Sequence, residues 1–280
     1  NIIRLLDGPY EDLLFLAGRA TPDMYLYGHS VNVCILSLLI GKGLNLDNRK
    51  LLVLGYCALL HDIGMAKILD LAAKNEKFSA AEHNQIKKHV LYGQEMLRKF
   101  TGISEEFKLL ITKVIYQTHE RKNGAGYPEG LKGSEIHEFA RIITIADVYE
   151  ALTHPRSYRD LIIPHEAVKM IINNAEEDFD SEMVKVFVEH ISLYPPGSYI
   201  RLNTDEIARV IGTREGLPTR PKVQVIIDAS GQRIAAPKVV DLSAAPMLFI
   251  KEPVDETKMK LTDKKLALEL KAMRWWVKGL

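Results

Sequence analysis

Six residues with side chains suited to a divalent metal ion recur along the N-terminal part of the chain. His61 and Asp62 stand side by side at the end of an apolar run, where an imidazole and a carboxylate can both bind a metal and the carboxylate can bridge two ions. The other four are His29, His89, His119 and Asp147. Along the chain His29, His61, His89, His119 and Asp147 are each about 30 residues from the next. This spacing predicts about one ligand per helix, or helix end, of a bundle, which is how bundle cores assemble such metal sites.

Each of these histidines taken alone is more often a surface or hydrogen-bonded core residue than a metal ligand. Asp147 is harder to explain in that way. It lies in the apolar run Ile142–Val148, and a buried carboxylate is costly unless it is paired or bound to a metal. The remaining histidines lie in polar or loop contexts and are interpreted as ordinary structural residues: His83, His137, His154, His165 and His190.

Helices must position these ligands, since apolar residues recur at helical spacing through most of residues 1–194. Ser79-Ala-Ala-Glu82 has the form of a capping box and begins one long helix. The segment Glu120–Gly133 is different, because its closely spaced glycines and its proline predict a fixed irregular loop. The predicted helices are Val31–Leu44, Asp47–Leu60, Ser79–Lys99, Ser104–Thr118, Glu138–Thr153, Pro164–Asn174 and Asp180–Tyr194.

Short β-branched segments replace the helical pattern in residues 195–280 and predict a small antiparallel sheet of three or four strands. The tail Leu261–Lys278 has a helical apolar stripe and contains Trp275 and Trp276. This helix either packs on its own domain, which the stripe favours, or forms a homodimer contact. The fold class is therefore mainly α, with a helical domain over 1–194 and a β extension plus terminal helix over 195–280. The predicted strands are Tyr199–Asn203, Glu206–Ile211, Lys222–Ile227 and Lys238–Leu242.

Composition argues against several classes of function. The 280 residues include 37 Lys and Arg against 36 Asp and Glu, so a net charge of +1 gives no support for a general DNA, RNA or membrane-surface binder. The longest strongly apolar run, Leu51–Leu60, is too short to span a membrane. Cys34 and Cys57 lie inside apolar runs and are expected to be reduced core residues of a cytoplasmic protein.

The order of motifs along the chain resembles the HD-GYP family, a branch of the HD hydrolases. The resemblance covers about Tyr27 to Tyr194. Its motifs are His61-Asp62-Ile-Gly, Lys88-His89 with Gly93, His119-Glu120, Asn123-Gly-Ala-Gly-Tyr-Pro-Glu-Gly-Leu-Lys-Gly133, Ala140-Arg-Ile, Ala146-Asp-Val-Tyr-Glu-Ala-Leu-Thr153 and Arg156-Ser-Tyr-Arg159. Family members typically hydrolyse the bacterial messenger cyclic di-GMP. The resemblance thus implies a bundle of the HD-hydrolase type that opens cyclic di-GMP to linear pGpG, with onward hydrolysis to GMP left open.

The resemblance also implies two divalent metal ions, with iron expected first and manganese second. Two such ions generate a bridging hydroxide near neutral pH and stabilise the charge on the phosphate under attack. Asp62 would bridge them and carries the catalytic role. The first ion would be held by His29, His61, Asp62 and Asp147, and the second by Asp62, His89 and His119.

Substrate contacts follow from the same resemblance. Arg156 and Arg159 match family positions that grip the ligand, and a guanidinium fork suits a phosphodiester. Tyr127, in the Gly126-Tyr127-Pro128 segment, would shape one wall of the site and recognise other signalling proteins, or else it anchors its own loop by packing.

Three positions depart from the family pattern, and two of them, Met65 and Thr118, leave a second hypothesis open. Met65 stands where members usually have a lysine that contacts the substrate phosphate, so Lys67 becomes the candidate for this catalytic and binding role. Thr118 replaces the first of two consecutive histidines, and Tyr25 replaces the glutamate that accompanies a third metal in some members. The alternative is a weak or inactive member that acts as a cyclic di-GMP receptor or interaction module. A third hypothesis is an HD hydrolase that acts on a different phosphoester, and the Gly-Tyr-Pro segment argues against it.

Overall fold

The computed structural model describes residues 25–72, 74, 78–154, 162–214, 216–255, 258–259 and 270. Helices occupy the chain as far as Ile191, and strands follow from Tyr199. The predicted fold class, a mainly helical body followed by a small antiparallel sheet, is confirmed. Arg156 and Arg159 lie outside the described residues, as does the predicted tail helix apart from Leu270.

Most of the helices begin and end close to the predicted positions, but the first begins at Tyr25 and not at Val31, and the short helix Leu69–Ala72 was not predicted. Side chains of Asp47, Ser104 and Asp180 accept backbone N–H groups at three of the helix starts, as expected of N-caps. Among the described residues, none of the helices is both long enough and apolar enough to cross a membrane. The helices are α1 Tyr25–Gly43, α2 Asn48–Leu60, α3 Leu69–Ala72, α4 Ala80–Ile86, α5 His89–Arg98, α6 Glu105–Gln117, α7 Glu138–Thr153, α8 Pro164–Asn173 and α9 Ser181–Ile191.

The prediction of one helix from Ser79 through Lys99 was wrong. The capping box at Ser79 is present, but α4 ends at Ile86 and α5 begins at His89. The His89 ring bonds to the Ile86 carbonyl, which a continuous helix would use for its own backbone ladder. The interruption therefore places His89 at the start of a helix, where its ring turns toward the neighbouring chain segments.

Helix α7 forms the centre of the helical body. It is buried around most of its circumference, as expected for a helix that is apolar nearly all round, and it packs against α1 and α8. Asp147 and Glu150 are buried on this helix. Both carboxylates therefore need polar partners inside the core, and those partners come from α1 and from the segments that follow α2 and α6.

The sheet has five strands in the order β4-β3-β2-β1-β5, and all neighbours are antiparallel. Sequence reasoning missed the strand Ile250–Val254, because its charged residues and Pro253 weaken the strand pattern; proline is tolerated at the sheet edge that it occupies. Leu270 is buried against Tyr199 and Val254. The strands are β1 Tyr199–Leu202, β2 Ile207–Gly212, β3 Lys222–Ile227, β4 Arg233–Asp241 and β5 Ile250–Val254.

Candidate metal centre

All six predicted metal ligands converge in the helical body. His29 lies one turn into α1 and Asp147 lies on α7, whereas the other four lie at helix ends, just after α2 and α6 or at the start of α5. They form two groups, and within each group the candidate ligand atoms lie within 4.8 Å of one another. The first group is His29, His61 and Asp147, and the second group is Asp62, His89 and His119.

The first group is compact and buried. His29 Nε2 lies 3.2 Å from His61 Nε2 and 3.4 Å from Asp147 Oδ1. In the second group, His89 Nε2 lies 2.9 Å from His119 Nε2. Two imidazole nitrogens on one ion stand about 3 Å apart when each metal–nitrogen bond is about 2 Å. Both histidine pairs therefore have a separation that suits a shared cation.

Asp62 lies between the two groups. Its carboxylate is 3.6 Å from the Nε2 atoms of His29 and His61, and 3.2 and 3.4 Å from those of His89 and His119. The Oδ1 atom is buried and makes no hydrogen bond of good geometry. A buried carboxylate oxygen without a donor is costly, so this atom is well placed to bind cations on both sides.

The ring orientations fit metal binding. His61 Nδ1 lies 2.8 Å from the Ala58 carbonyl and His89 Nδ1 lies 2.7 Å from the Ile86 carbonyl. A ring nitrogen that faces a carbonyl oxygen must carry the proton, so the hydrogen-bond network assigns the lone pair to Nε2 in both rings. Nε2 atoms of facing histidines thus approach closely at the centre of each group, where a divalent cation would bind them both. The residues present fit two divalent ions.

Glu150 belongs to this centre, although sequence reasoning did not select it. It is fully buried and is hydrogen bonded to His29 Nδ1, while Asn32 Nδ2 donates to its Oε1 at 3.2 Å. His154 Nδ1 lies 3.3 Å from the same oxygen, so this histidine, which the sequence marked only as an ordinary structural residue, is a buried partner of Glu150. The available signal was spacing, because Glu150 follows Asp147 by three residues on one face of α7.

Charges within the cluster shift several pKa values in the absence of metal. Burial alone lowers the pKa of His29, but the Glu150, Asp147 and Asp62 carboxylates outweigh it and raise the value to about 9. Burial raises the pKa of Glu150, but His29 and its other partners lower it to about 2. Burial likewise opposes ionisation of Asp62, and the neighbouring histidines hold its pKa well below the usual range. Asp62 is therefore ionised, as a carboxylate that binds metal must be.

Comparison with known protein families assigns the helical body. The profile of the HD domain matches residues 21–183. The chain belongs to the HD domain family. The motifs carried by this HD domain are those of the HD-GYP branch, so the predicted membership is confirmed. A second profile, described as a KOW domain associated with HD domain, matches residues 199–262 and covers the sheet.

Curated relatives of this HD-GYP protein are named as phosphodiesterases. A cyclic di-GMP phosphodiesterase of Pseudomonas aeruginosa is 31% identical over 234 residues, which are 83% of this chain and 55% of the relative. The cyclic di-GMP phosphodiesterase PdeB of Borreliella burgdorferi is 29% identical, over 71% of this chain and 52% of the relative. The 3'3'-cGAMP-specific phosphodiesterase 3 of Vibrio cholerae is 31% identical, over 68% of this chain and 41% of the relative. The chain spans about half the length of the curated relatives it matches.

The Gly-Tyr-Pro segment lies against the second group of the HD domain. The Tyr127 ring stacks on the His119 ring, with centroids 5.0 Å apart and an angle of 10° between the planes. The Lys87 ammonium lies over the Tyr127 ring, 5.3 Å from its centroid. Tyr127 therefore packs beside a candidate metal ligand, while its predicted roles toward substrate and as an anchor of its loop stay predictions.

Glu120 holds this loop and was not selected from the sequence. Its buried carboxylate accepts backbone N–H groups from Glu129 and Gly130 at 2.7 and 3.1 Å on one oxygen, and from Leu131 at 3.1 Å on the other. Glu120 directly follows His119, so the same short segment supplies a candidate metal ligand and fixes the loop whose Tyr127 stacks on it.

The two family departures have structural counterparts. Lys67 is ion-paired with Glu95, and its ammonium lies 5.4 Å from the Tyr92 ring centroid. The buried Thr118 hydroxyl donates to the Ile115 carbonyl of its own helix at 3.0 Å, so its proton is used within α6. The role of Lys67 toward substrate stays a prediction, as do partner recognition by the Gly-Tyr-Pro segment and the homodimer.

Proposed function

We propose that this chain is a metal-dependent phosphodiesterase that hydrolyses cyclic di-GMP to linear pGpG, with onward hydrolysis to GMP to be decided by product analysis. The observation that carries the proposal is the two pairs of facing histidines around the buried Oδ1 of Asp62, which makes no hydrogen bond of good geometry. When bound there, two divalent ions would lower the pKa of water and stabilise charge on the phosphodiester. Iron is proposed first and manganese second, since imidazole and carboxylate ligands accept both.

Substrate approaches from the side on which Asp62, His119 and Asp147 are partly exposed. Their side chains are 14%, 11% and 12% exposed, whereas those of His29 and His61 are 2% and 0% exposed. Tyr127 provides an aromatic face on this side and Lys87 a positive charge next to it, as an anionic dinucleotide requires. Lys67, Arg156 and Arg159 remain proposed phosphate contacts.

The named activities of the relatives support a cyclic dinucleotide as the substrate class. Relatives at similar identity are named for cyclic di-GMP and for 3'3'-cGAMP, which differ in one base and share both phosphodiester bonds. The metal-binding groups would act on the phosphodiester bonds, which the two nucleotides share. Both compounds therefore belong in the substrate test, with cyclic di-GMP expected to react faster.

The test is a turnover assay on the full chain, purified without oxygen and loaded with iron(II) or manganese(II). We expect linear product that disappears on chelation and returns when metal is restored. His89→Asn is expected to abolish turnover because it removes a ligand, whereas His83→Asn, at an exposed histidine of α4, is the matched control. A chain that holds two ions per molecule and yields no product from either dinucleotide contradicts the proposal.

A second candidate, a cyclic di-GMP receptor, is favoured by one observation. Lys67, the only substitute we identified for the phosphate lysine, is already paired with Glu95. Losing one charge-assisted contact weakens binding by roughly ten- to a hundredfold, which leaves recognition by the remaining contacts possible. Micromolar binding of cyclic di-GMP by the metal-loaded chain, without product, would support the receptor over the enzyme.

A further inference from the structure

The two metal-binding groups differ in their ligands. Around the first group, His29 and His61 face two carboxylates, Asp147 Oδ1 at 3.4 and 4.0 Å and Asp62 at 3.6 Å. The second group has two imidazoles and only the shared Asp62. Asp147 reaches this group at 3.7 Å from His119 Nδ1, which is the ring nitrogen that points away from His89.

The residues behind the ligands differ as well. In the first group a buried carboxylate, Glu150, is hydrogen bonded to His29 Nδ1. In the second group a neutral backbone carbonyl, that of Ile86, has the same position behind His89. A carboxylate behind an imidazole fixes its tautomer and raises its basicity, and removing such a partner typically costs ten- to a hundredfold in metal affinity.

We infer that the two positions bind metal unequally: the first group fills first and retains its ion, the second exchanges its ion with solvent, and Glu150 is the positioning residue that sets the difference. The inference rests on the proposed metal-dependent function only in taking divalent ions as the ligand. Two carboxylates and the Glu150 contact strengthen the first group, whereas the second group has one carboxylate and a backbone carbonyl behind His89. Turnover then depends on the concentration of free metal, because the second group must take its ion from solvent.

Glu150→Gln tests the positioning role with almost no change in shape. Because Asn32 donates to Oε1, the amide oxygen of the glutamine takes that place and its NH2 faces His29 Nδ1. An amide donor there requires a lone pair on Nδ1, which moves the ring proton to Nε2. The Nε2 lone pair that would bind metal is then lost, so the variant weakens the first group selectively.

The experiment titrates metal-stripped full chain with Mn²⁺, followed by calorimetry and by the electron paramagnetic resonance signal of free Mn²⁺. For the unmodified chain we expect two classes of site whose dissociation constants differ at least tenfold, and about one ion per chain retained after gel filtration in metal-free buffer. Two equal classes, or no ion retained, would overturn the inference. Substrate is absent, so failure of the proposed hydrolysis does not affect this result.

Substitutions show which class of metal site corresponds to which metal-binding group. His89→Asn should remove the weak class and leave the tight one, and Glu150→Gln should weaken the tight class by ten- to a hundredfold and leave the weak one. Glu138→Gln, on the first turn of the same helix, is the matched control and should change neither. Thermal unfolding of the metal-free variants verifies the fold. If Glu150→Gln does not fold, the unmodified chain and His89→Asn still decide, and loss of the tight class in His89→Asn contradicts the assignment.

Discussion

Gly64 lies so close to the backbone of α5 that a methyl group has no room there. A Cβ at this position would stand 1.9 Å from the His89 carbonyl oxygen and 2.6 Å from the Gly93 nitrogen. Both obstacles are backbone atoms, so no side-chain rotation relieves them. Gly64→Ala therefore tests whether this close approach positions the second metal-binding group.

The size of the effect follows from the distance. Real Cβ contacts do not fall below 3.0 Å, so the turn Ile63–Lys67 and α5 must separate by at least about 1 Å. We expect this overpacking to lower the free energy of unfolding by about 3 kcal/mol, the upper end for inserted methyl groups. Because His89 itself is displaced relative to Asp62, turnover should fall by about a hundredfold, as misplacements of about 1 Å do elsewhere.

Gly55→Ala is the matched control. Its Cβ would meet Leu38 Cδ2 at 3.6 Å and Cys34 Sγ at 3.8 Å, which are ordinary contacts, and Gly55 lies inside α2. Replacing a helix-interior glycine by alanine should stabilise the protein by about 0.5–1 kcal/mol. The two substitutions add the same methyl group and should have opposite effects on stability.

The assay compares urea unfolding of the metal-free proteins, manganese bound per chain and turnover of cyclic di-GMP. Gly64→Ala should lose stability, second-group metal affinity and activity together, while Gly55→Ala keeps all three. If Gly64→Ala unfolds within about 0.5 kcal/mol of the unmodified chain and binds two ions normally, the close approach to α5 does not position His89, and the reasoning is refuted.

Two further predictions concern Glu120 and Glu82. Glu120→Gln keeps one oxygen but turns an NH2 toward the Leu131 N–H. It should lower the free energy of unfolding in urea by about 1–3 kcal/mol and speed amide hydrogen exchange at Leu131. Unchanged exchange would contradict the loop-holding role. The Lys74 ammonium and the Ser79 cap lower the pKa of Glu82 from 4.5 to about 2. The stabilisation that comes from this lowered pKa is fully present above pH 4.5 and is lost as the pH falls toward 2. The stability difference between the unmodified chain and Glu82→Gln should therefore shrink over that window, and a constant difference would contradict the prediction.

Much of the metal centre was accessible from the sequence because its ligands lie at helix ends or on a strongly apolar helix. His61 and Asp62 follow the apolar run of α2, and His119 follows α6, so local periodicity places them. Asp147 was identifiable because a lone carboxylate inside an apolar helix requires a partner. The helix bounds themselves depend on local capping and periodicity, and most were predicted within a few residues.

Other features have no local signal. One such feature is the break between α4 and α5, in a stretch that otherwise has helical propensity. There the His89 ring is hydrogen bonded to the Ile86 carbonyl, which a continuous helix would use for its own backbone hydrogen bond. Strand β5 was missed because its residues pair only once β1 is in place, and its own pattern is too polar to predict a strand.

Residue type and spacing were enough to identify the six candidate metal ligands and the order in which the helices present them, since those properties depend on residue type and on spacing within one element. Tertiary structure alone decided how the two groups differ. His29 and Glu150 are 121 residues apart, and their contact exists only because α1 packs on α7. Metal affinity depends on such contacts behind the ligands as much as on the ligands, and no local pattern encodes them.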